Sequence, residues 1–494
     1  MNLPLISPEM INFILGCLGA LAAVGVTFYL SFYKFKNPKT RKRRIIFVLS
    51  LAGLVVAYLL FYTVSNQIGR YQAEKQLARM EARGISTTLK GIKPALPGKS
   101  SGNGVQYYEA AKALMKCSSY ETLNNRYMSY DNHRVAYTTY DVARWDKADQ
   151  PAALQLLSNK EIDMIFDLFH QGAQQPVAVY DRDYSRGFAT MMPELNTQRA
   201  LFRLLNMKTS ALGLEGKPAA GYALIRDGFK AVKQFETDPT LISQLVNIAC
   251  ISIDIEAMNS LLARYGIDDQ SARQLLETLA QLDIGRGMLH AMNGEVMLTS
   301  DFFEGIMTGK SDYEKEKWLC SRDKLWGMEY GRFPVKQVMQ VISWPFIYWD
   351  YNYYLDYMQK CRTLFMESYW QAADKIKTLK IEEPNIPYRY PVSKMMLPAL
   401  VSARTKVARI ESEIDAAKLT LALHIYKNQN GTFPDSLEQL APGILKAIPV
   451  DPVSGKPFEY RKTDGTFKLS GVWLKEKQEQ DRKRQEQYRN KAGK

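Results

Sequence analysis

Charged residues are absent from two long stretches near the start of this chain. Residues 10–33 contain no charged side chain, and residues 45–69 again contain none. Each stretch is longer than the ~20 apolar residues that a helix needs to cross a bilayer. The pattern therefore predicts two transmembrane helices that form a hairpin within residues 1–66.

The loop between the two apolar stretches is strongly basic. The residues before the first stretch include no Lys or Arg. The loop contains Lys34, Lys36, Lys39, Arg41, Lys42, Arg43 and Arg44. Because basic loops stay in the cytoplasm, both termini are expected outside it, although four basic residues between 70 and 83 weakly favour the opposite orientation. The predicted location is the inner (cytoplasmic) membrane of a bacterium, with an extracytoplasmic main domain.

The residues after the second stretch have the pattern of a soluble helical protein. Strong helix formers followed by closely spaced Pro, Gly and Ser predict a helical stalk and a linker in residues 67–104. Residues 105–403 show apolar residues at i, i+3 and i+4, with helix starts expected near 197, 218, 239 and 270. These starts follow no fixed period, which predicts an irregular helical array rather than a true repeat.

Residues 344–357 contain eight aromatic residues within fourteen positions. Aromatic faces and Tyr hydroxyls can form a platform for a sugar or a peptide. We favour the interpretation that the same residues form the core of a buried helix pair or lie at a membrane interface, because aromatic residues are so often core anchors. The candidate ligand-binding residues are Trp344, Tyr348, Trp349 and Tyr353.

Composition excludes several classes of protein. The 494 residues are 46% hydrophobic and 23% charged, and the mean hydropathy of -0.27 excludes a protein built mostly of membrane spans. The net charge of +14 is concentrated in the basic loop and spread thinly elsewhere, so nucleic acid is not expected as a partner. The five cysteines and four histidines lack metal-ligand spacing, and no metal or cofactor is predicted. Extracytoplasmic cysteines could form disulfides or remain buried thiols.

Motifs for known catalytic chemistry are missing or incomplete. Ser321 and Lys324 fit the S-x-x-K pattern of serine acyl-transferases, but the S-x-N and K-T-G motifs that complete such a pocket do not follow. Asp301 and Glu304 could be paired carboxylates on one helix face or part of an ordinary solvated turn. The chain contains no P-loop, GxGxxG or HExxH string. No catalytic residue is therefore predicted.

Residues 404–474 contain the most specific motif string. A predicted helix with Ile410, Ile414, Ala417 and Leu421 on one face ends near residue 431. The string continues as N-G-T-F-P, S-L-E-Q-L, I-P-V-D-P, G-K-P-F-E-Y and D-G-T-F-K-L. This order resembles the globular domain of the major (G-type) pseudopilins of type II secretion. The matching positions are Tyr426, Asn430, Gly431, Phe433, Pro434, Ser436, Leu437, Leu440, Pro449, Asp451, Pro452, Gly455, Pro457, Phe458, Tyr460, Asp464, Gly465, Phe467 and Leu469.

The resemblance implies a small α+β module, with the helix packed on a short antiparallel sheet. Two features of that family are missing from the sequence. The prepilin leader, with its G-F-T-L-x-E string, is absent, and a mixed-charge tail in residues 475–494 replaces the acidic calcium-binding tail. The module is therefore expected to hold no calcium.

The expected fold class is mainly α, with two transmembrane helices, an irregular helical array and a small C-terminal α+β pilin-like module. The whole chain is similar to bacterial membrane-anchored proteins that pair a helical domain with such an end. The leading hypothesis is an anchored extracytoplasmic scaffold or interaction component of an envelope assembly, with a secretion role implied by the resemblance. Its expected partners are the lipid bilayer and other envelope proteins, and its oligomeric state is left open. The alternative is an envelope enzyme, or a glycan- or peptide-binding protein, that uses residues 344–357.

Overall fold

Helices dominate the protein, as the sequence predicts. The computed structural model describes residues 38–87, 102–128, 139–308, 346–382, 385–387 and 389–492. The α-helices are α1 (Pro38–Glu81), α2 (Val105–Leu114), α3 (Ser118–Leu123), α4 (Gln150–Leu157), α5 (Lys160–Ala173), α6 (Glu194–Leu214), α7 (Pro218–Phe235), α8 (Leu241–Tyr265), α9 (Asp269–Leu279), α10 (Ile284–Thr308), α11 (Ile347–Met366), α12 (Ala373–Glu382), α13 (Pro391–Met396), α14 (Pro398–Asn430) and α15 (Val472–Ala492). The described residues include one sheet, formed by β1 (Glu459–Thr463) and β2 (Thr466–Ser470).

Helix α1 begins in the basic loop and continues through the second apolar stretch. Its 44 residues correspond to about 66 Å of helix. The side chains of Leu49, Leu54 and Leu60 are 66%, 67% and 61% exposed. α1 therefore has the length, composition and apolar surface of a helix that can cross a membrane. The other predicted span, residues 10–33, lies outside the described residues.

Helix α8 is also long and apolar enough to cross a membrane, but its surroundings are protein. Cys250, Ile251 and Met258 are fully buried in the main core. Helices α6 and α7 pack against it. These contacts make α8 the central helix of the array.

Local capping signals set the helix boundaries in this array. The starts predicted near 197, 218, 239 and 270 correspond to α6, α7, α8 and α9. Gly216 has a φ of 75° at the end of α6, a conformation that glycine adopts without strain. Pro218 follows at the first position of α7, where a backbone N–H is not needed. Asp268 accepts a 2.8 Å hydrogen bond from the Ser271 N–H and caps α9.

Helix α14 belongs to two cores. The face that packs in the core of the helical array includes Ile410, Ile414, Ala417 and Leu421. The face that packs with the C-terminal residues includes Ala416, Leu419, Ala422 and Leu423. The sequence assigned the first face to the small sheet, and that assignment was wrong. Because the two apolar faces of α14 pack in different cores, α14 connects the array to the C-terminal residues.

The C-terminal unit, which we define as residues 416–470, combines the second half of α14 with a β-hairpin. α14 ends at Gly431, which has the left-handed φ of 78° that favours glycine. β1 and β2 are antiparallel, and Gly465 (φ 72°) lies in the turn between them. Phe433 and Phe458 are buried with α14. These residues give the unit a small apolar core of its own.

An ion cluster fixes the loop between α5 and α6. The Arg182 side chain is buried, and its Nε donates a 2.5 Å hydrogen bond to Glu194 Oε1. Its Nη1 donates to Asp238 Oδ2, also at 2.5 Å. Burial alone would lower the pKa of Arg182, but Asp238, Tyr184 and Glu194 together raise it. The guanidinium therefore stays charged and neutralises two carboxylates inside the protein.

Glu295 of α10 is expected to make the stability of the fold depend on pH. Its carboxyl accepts a 3.0 Å hydrogen bond from the Leu241 N–H, and burial raises its pKa from 4.5 to about 7. The pKa of Glu295 is higher in the folded than in the unfolded protein. The contribution of Glu295 to the free energy of unfolding is therefore fully present below pH 4.5 and is lost as the pH rises through 7. The expected loss in the free energy of unfolding is about 3 kcal/mol.

Glu295→Gln keeps an oxygen for the Leu241 N–H and cannot ionise. Chemical denaturation of the detergent-solubilised protein, measured below and above this pH window, should show a smaller loss of stability in the variant. Glu277→Gln, at an exposed position of α9, is the matched control and should leave the pH dependence unchanged. The same pH dependence in Glu295→Gln as in the unmodified protein would contradict the prediction.

Candidate functional site

The aromatic helix α11 lies alongside α1 and runs in the same direction. The Trp349 Nε1 donates a hydrogen bond to Ser65 Oγ at 2.9 Å. One turn further along, Asn352 Nδ2 donates to the Gly69 carbonyl oxygen at 2.7 Å. The two pairs are separated by 284 and 283 residues of sequence. This constant separation means that the two helices are parallel and keep one register.

A small amide network continues the same register away from the apolar stretch. Gln76 Nε2 donates to Asn352 Oδ1 at 2.9 Å. Gln76 Oε1 in turn accepts from Gln359 Nε2 at 3.4 Å, with a separation of 283 residues. Partly buried amides that are paired in this way favour one register, because a shift would leave them without these partners. The residues predicted as a stalk are thus packed against the domain, and Ala73 and Met80 lie in its core.

Gly69 allows the close approach of α1 and α11. A Cβ at this position would lie 2.6 Å from the Tyr348 Cβ, far inside van der Waals contact. The nearest atoms are the Tyr348 Cβ and backbone, which cannot move independently of α11. Only glycine fits here without displacing one of the helices.

Gly69→Ala is expected to lower the free energy of unfolding by about 1 to 3 kcal/mol, the usual cost of overpacking. The control is Gly53→Ala in the same helix, where a Cβ would meet nothing within 4 Å. Alanine favours a helix over glycine by roughly 0.5 to 1 kcal/mol, so Gly53→Ala should be neutral or stabilising. Chemical denaturation of both purified variants checks this, and equal effects would refute the proposed close contact.

Several rings of the aromatic segment form the contact between α11 and α10. Tyr351 and Tyr354 are 3% and 1% exposed. The ring of Tyr351 lies 4.6 Å from that of Phe303. The Tyr354 hydroxyl accepts a 2.8 Å hydrogen bond from Thr299 Oγ1. These tyrosines are core residues, one of the two interpretations that the sequence left open for this segment.

The candidate ligand-binding residues do not gather around one cavity in the described part of the chain. Trp349 and Tyr348 contact α1 through Ser65 and Gly69, as described. Tyr353 instead faces α13, with its ring 5.3 Å from that of Tyr390. Trp344 lies outside the described residues. Ligand binding by these four residues stays a prediction.

Asp350 joins the first turn of α11 to α13. The side chain is fully buried, and its carboxylate oxygens accept hydrogen bonds from the backbone N–H groups of Val392 and Ser393 at 2.9 and 3.0 Å. Burial raises its pKa to about 6, while hydrogen bonds from Ser393 and Val392 oppose this shift. Asp350 thus caps the start of α13 rather than facing a ligand.

The other residues that the sequence singled out provide no further site. Ser321 and Lys324 lie outside the described residues, while Asp301 and Glu304 lie in the last turns of α10. Among the residues with described positions, no cluster of His, Cys, Asp or Glu could hold a metal ion. Cys117 and Cys250 are free thiols.

Sequence reasoning missed the residues that hold α1 and α11 together, above all Gly69, Gln76 and Asn352. A polar Asn352 within an aromatic run was the available signal, but nothing local to it points to a partner 283 residues away.

No protein-family model, curated protein or solved structure matches this chain.

Proposed function

We propose that the protein is a membrane-anchored extracytoplasmic scaffold or interaction component of a bacterial envelope assembly. The observation that supports this most directly is the continuity of α1. Its uncharged residues 45–69 pass into residues of the same helix that lie in the main core, including Ala73 and Met80. A helix of this kind places its domain at a fixed position relative to the bilayer.

The fixed contact between α1 and α11 favours a positioning role over a flexible tether. The hydrogen bonds of Ser65, Gly69 and Gln76 to α11 hold the two helices in one register. Packed helices with paired amides do not slide continuously. The apolar part of α1 and the domain that contains α11 should therefore move as one body. Such rigidity suits a component of a larger assembly.

The C-terminal unit is the proposed docking element of this assembly. The unit contains a helix, a hairpin and an aromatic core, and the proposal that it docks like a pilin module rests on the pseudopilin resemblance of the sequence. Gly455 (φ 69°) lies against the indole of Trp370, where a Cβ would come within 2.6 Å of the ring. This contact and the shared helix α14 hold the unit on the array, so its outer surface has a fixed orientation toward a partner.

The orientation is tested with alkaline phosphatase fusions. A fusion after Lys494 should be active, and one at Lys39 should be inactive, because the basic loop holds residues 34–44 in the cytoplasm. The opposite pattern would place the domain in the cytoplasm and refute the proposal.

Site-specific photocrosslinking in cells tests the interaction role. A benzophenone amino acid at Val450, which is 47% exposed on the C-terminal unit, should give a discrete crosslink to another envelope protein. Met191, which is 70% exposed on the array, is the matched control and should not give the same product. Absence of a product specific to Val450 would count against docking through this unit.

A further inference from the structure

The start of α11 reaches the level of the apolar stretch of α1. The ring of Phe346, directly before α11, lies 6.0 Å from the ring of Phe61 in an edge-to-face arrangement. Phe61 precedes Gly69, the last residue of the uncharged stretch, by eight positions. Eight helical residues span about 12 Å. Phe346 is therefore level with residues that lie well inside the predicted span.

The surface around this contact is apolar and open. Phe61, Val64 and Ile68 of α1 are 50%, 54% and 46% exposed. Phe346 and Ile347 are themselves only half-buried. The one acidic group of the first turn of α11, Asp350, faces inward to α13 and is fully buried. The nearby charged groups Arg70, Glu74 and Glu304 act on Tyr348, one residue after Ile347.

The order of residue types along the helix pair matches the depth profile of a bilayer. Residues 45–69 correspond to about 37 Å of helix, so a hydrocarbon core of about 30 Å covers all but its two ends. On this scale Phe61 and Phe346 lie within the acyl chains. Trp349, whose indole N–H is bound to Ser65, lies near the boundary, where Trp and Tyr are favoured. Asn352 and the amide network lie beyond it.

We propose that the first turn of α11 and the adjoining face of α1 form a lipid-binding surface, seated at the outer headgroup–acyl boundary of a phospholipid bilayer. This inference rests on the proposed function, because it requires α1 to cross the membrane. The domain then lies directly on the bilayer and is not held away from it by a stalk. Because α11 runs parallel to α1, its polar far end points away from the lipid.

Photocrosslinking to lipid in the full-length protein tests this surface. A benzophenone amino acid is placed at Phe346, and the purified protein is reconstituted in nanodiscs of phosphatidylethanolamine and phosphatidylglycerol. Intact mass spectrometry then measures the fraction of protein that gains the mass of one phospholipid. Leu54, 67% exposed within the apolar stretch, is the positive control, and Met191, 70% exposed on the array, is the negative control.

The expected result is lipid adduct at Phe346 and Leu54, each at least about tenfold above Met191, because only these two positions face the acyl region. Adduct at Leu54 with none at Phe346 would show that α1 is inserted but α11 stands clear of the bilayer, which overturns this inference alone. No adduct at Leu54 would overturn the membrane anchorage as well. Should the Phe346 variant misfold, Ile347 in the same turn provides a second position with the same criterion.

Discussion

Replacing Arg182 with leucine is expected to lower the free energy of unfolding by about 3 to 5 kcal/mol. The guanidinium is buried and binds Glu194 and Asp238 at 2.5 Å each. Leucine fills part of the same volume but leaves both carboxylates without their counter-charge in a low-dielectric environment. Removal of one partner from a buried ion cluster is costly because the remaining charges cannot recover their hydration.

The control for this prediction is Arg273→Leu. Arg273 makes an exposed i, i+4 pair with Asp269 at 2.8 Å, with both side chains 43% exposed. Such pairs contribute roughly 0.3 to 0.5 kcal/mol. Urea denaturation of the two solubilised variants, followed by circular dichroism, should show a much larger loss in the free energy of unfolding for Arg182→Leu than for Arg273→Leu. An effect of Arg182→Leu below that of Arg273→Leu would refute the role of the cluster.

Phe433→Ala and Phe458→Ala are each expected to cost about 3 to 5 kcal/mol, the usual range for a buried phenylalanine. The two side chains are 5% and 3% exposed. The Phe433 ring lies 4.9 Å from that of Phe467, and Phe458 packs against Gly471. Because this core is small, the cavity left by either ring cannot be filled by rearrangement of many neighbours.

Val450→Ala is the control for the two phenylalanine variants. Val450 belongs to the same unit but is 47% exposed, so its truncation should change stability by less than about 0.5 kcal/mol. Thermal unfolding of the purified proteins provides the comparison. If Phe433→Ala and Phe458→Ala melt like Val450→Ala, the aromatic core does not stabilise the unit.

Features with a local physical cause could be predicted from the sequence. The start of α7 follows from Lys217-Pro218, the end of α14 from Gly431, and the hairpin turn from Gly465. In each case one residue restricts φ or allows a left-handed turn, whatever the rest of the chain does. The long apolar helix α1 follows in the same way from its uncharged composition.

Features that depend on distant partners could not be predicted. The sequence pattern of α14 identified the face with Ile410 and Leu421, but the alternation of two apolar faces does not say which core each face joins. The stalk prediction had the same weakness. Helix formers in residues 67–83 predict a helix correctly, yet Gly69 and Gln76 make their contacts with residues almost 300 positions later.

The shared helix α14 has a consequence for how the protein unfolds. Its Ile410 face completes the wall of the helical array, and its Leu419 face carries the C-terminal unit. If either core melts, one face of α14 is exposed to solvent, and the other core loses the support of this helix. The array and the C-terminal unit should therefore lose structure in a single cooperative transition, and a chain cut before residue 404 would leave the array with an open side.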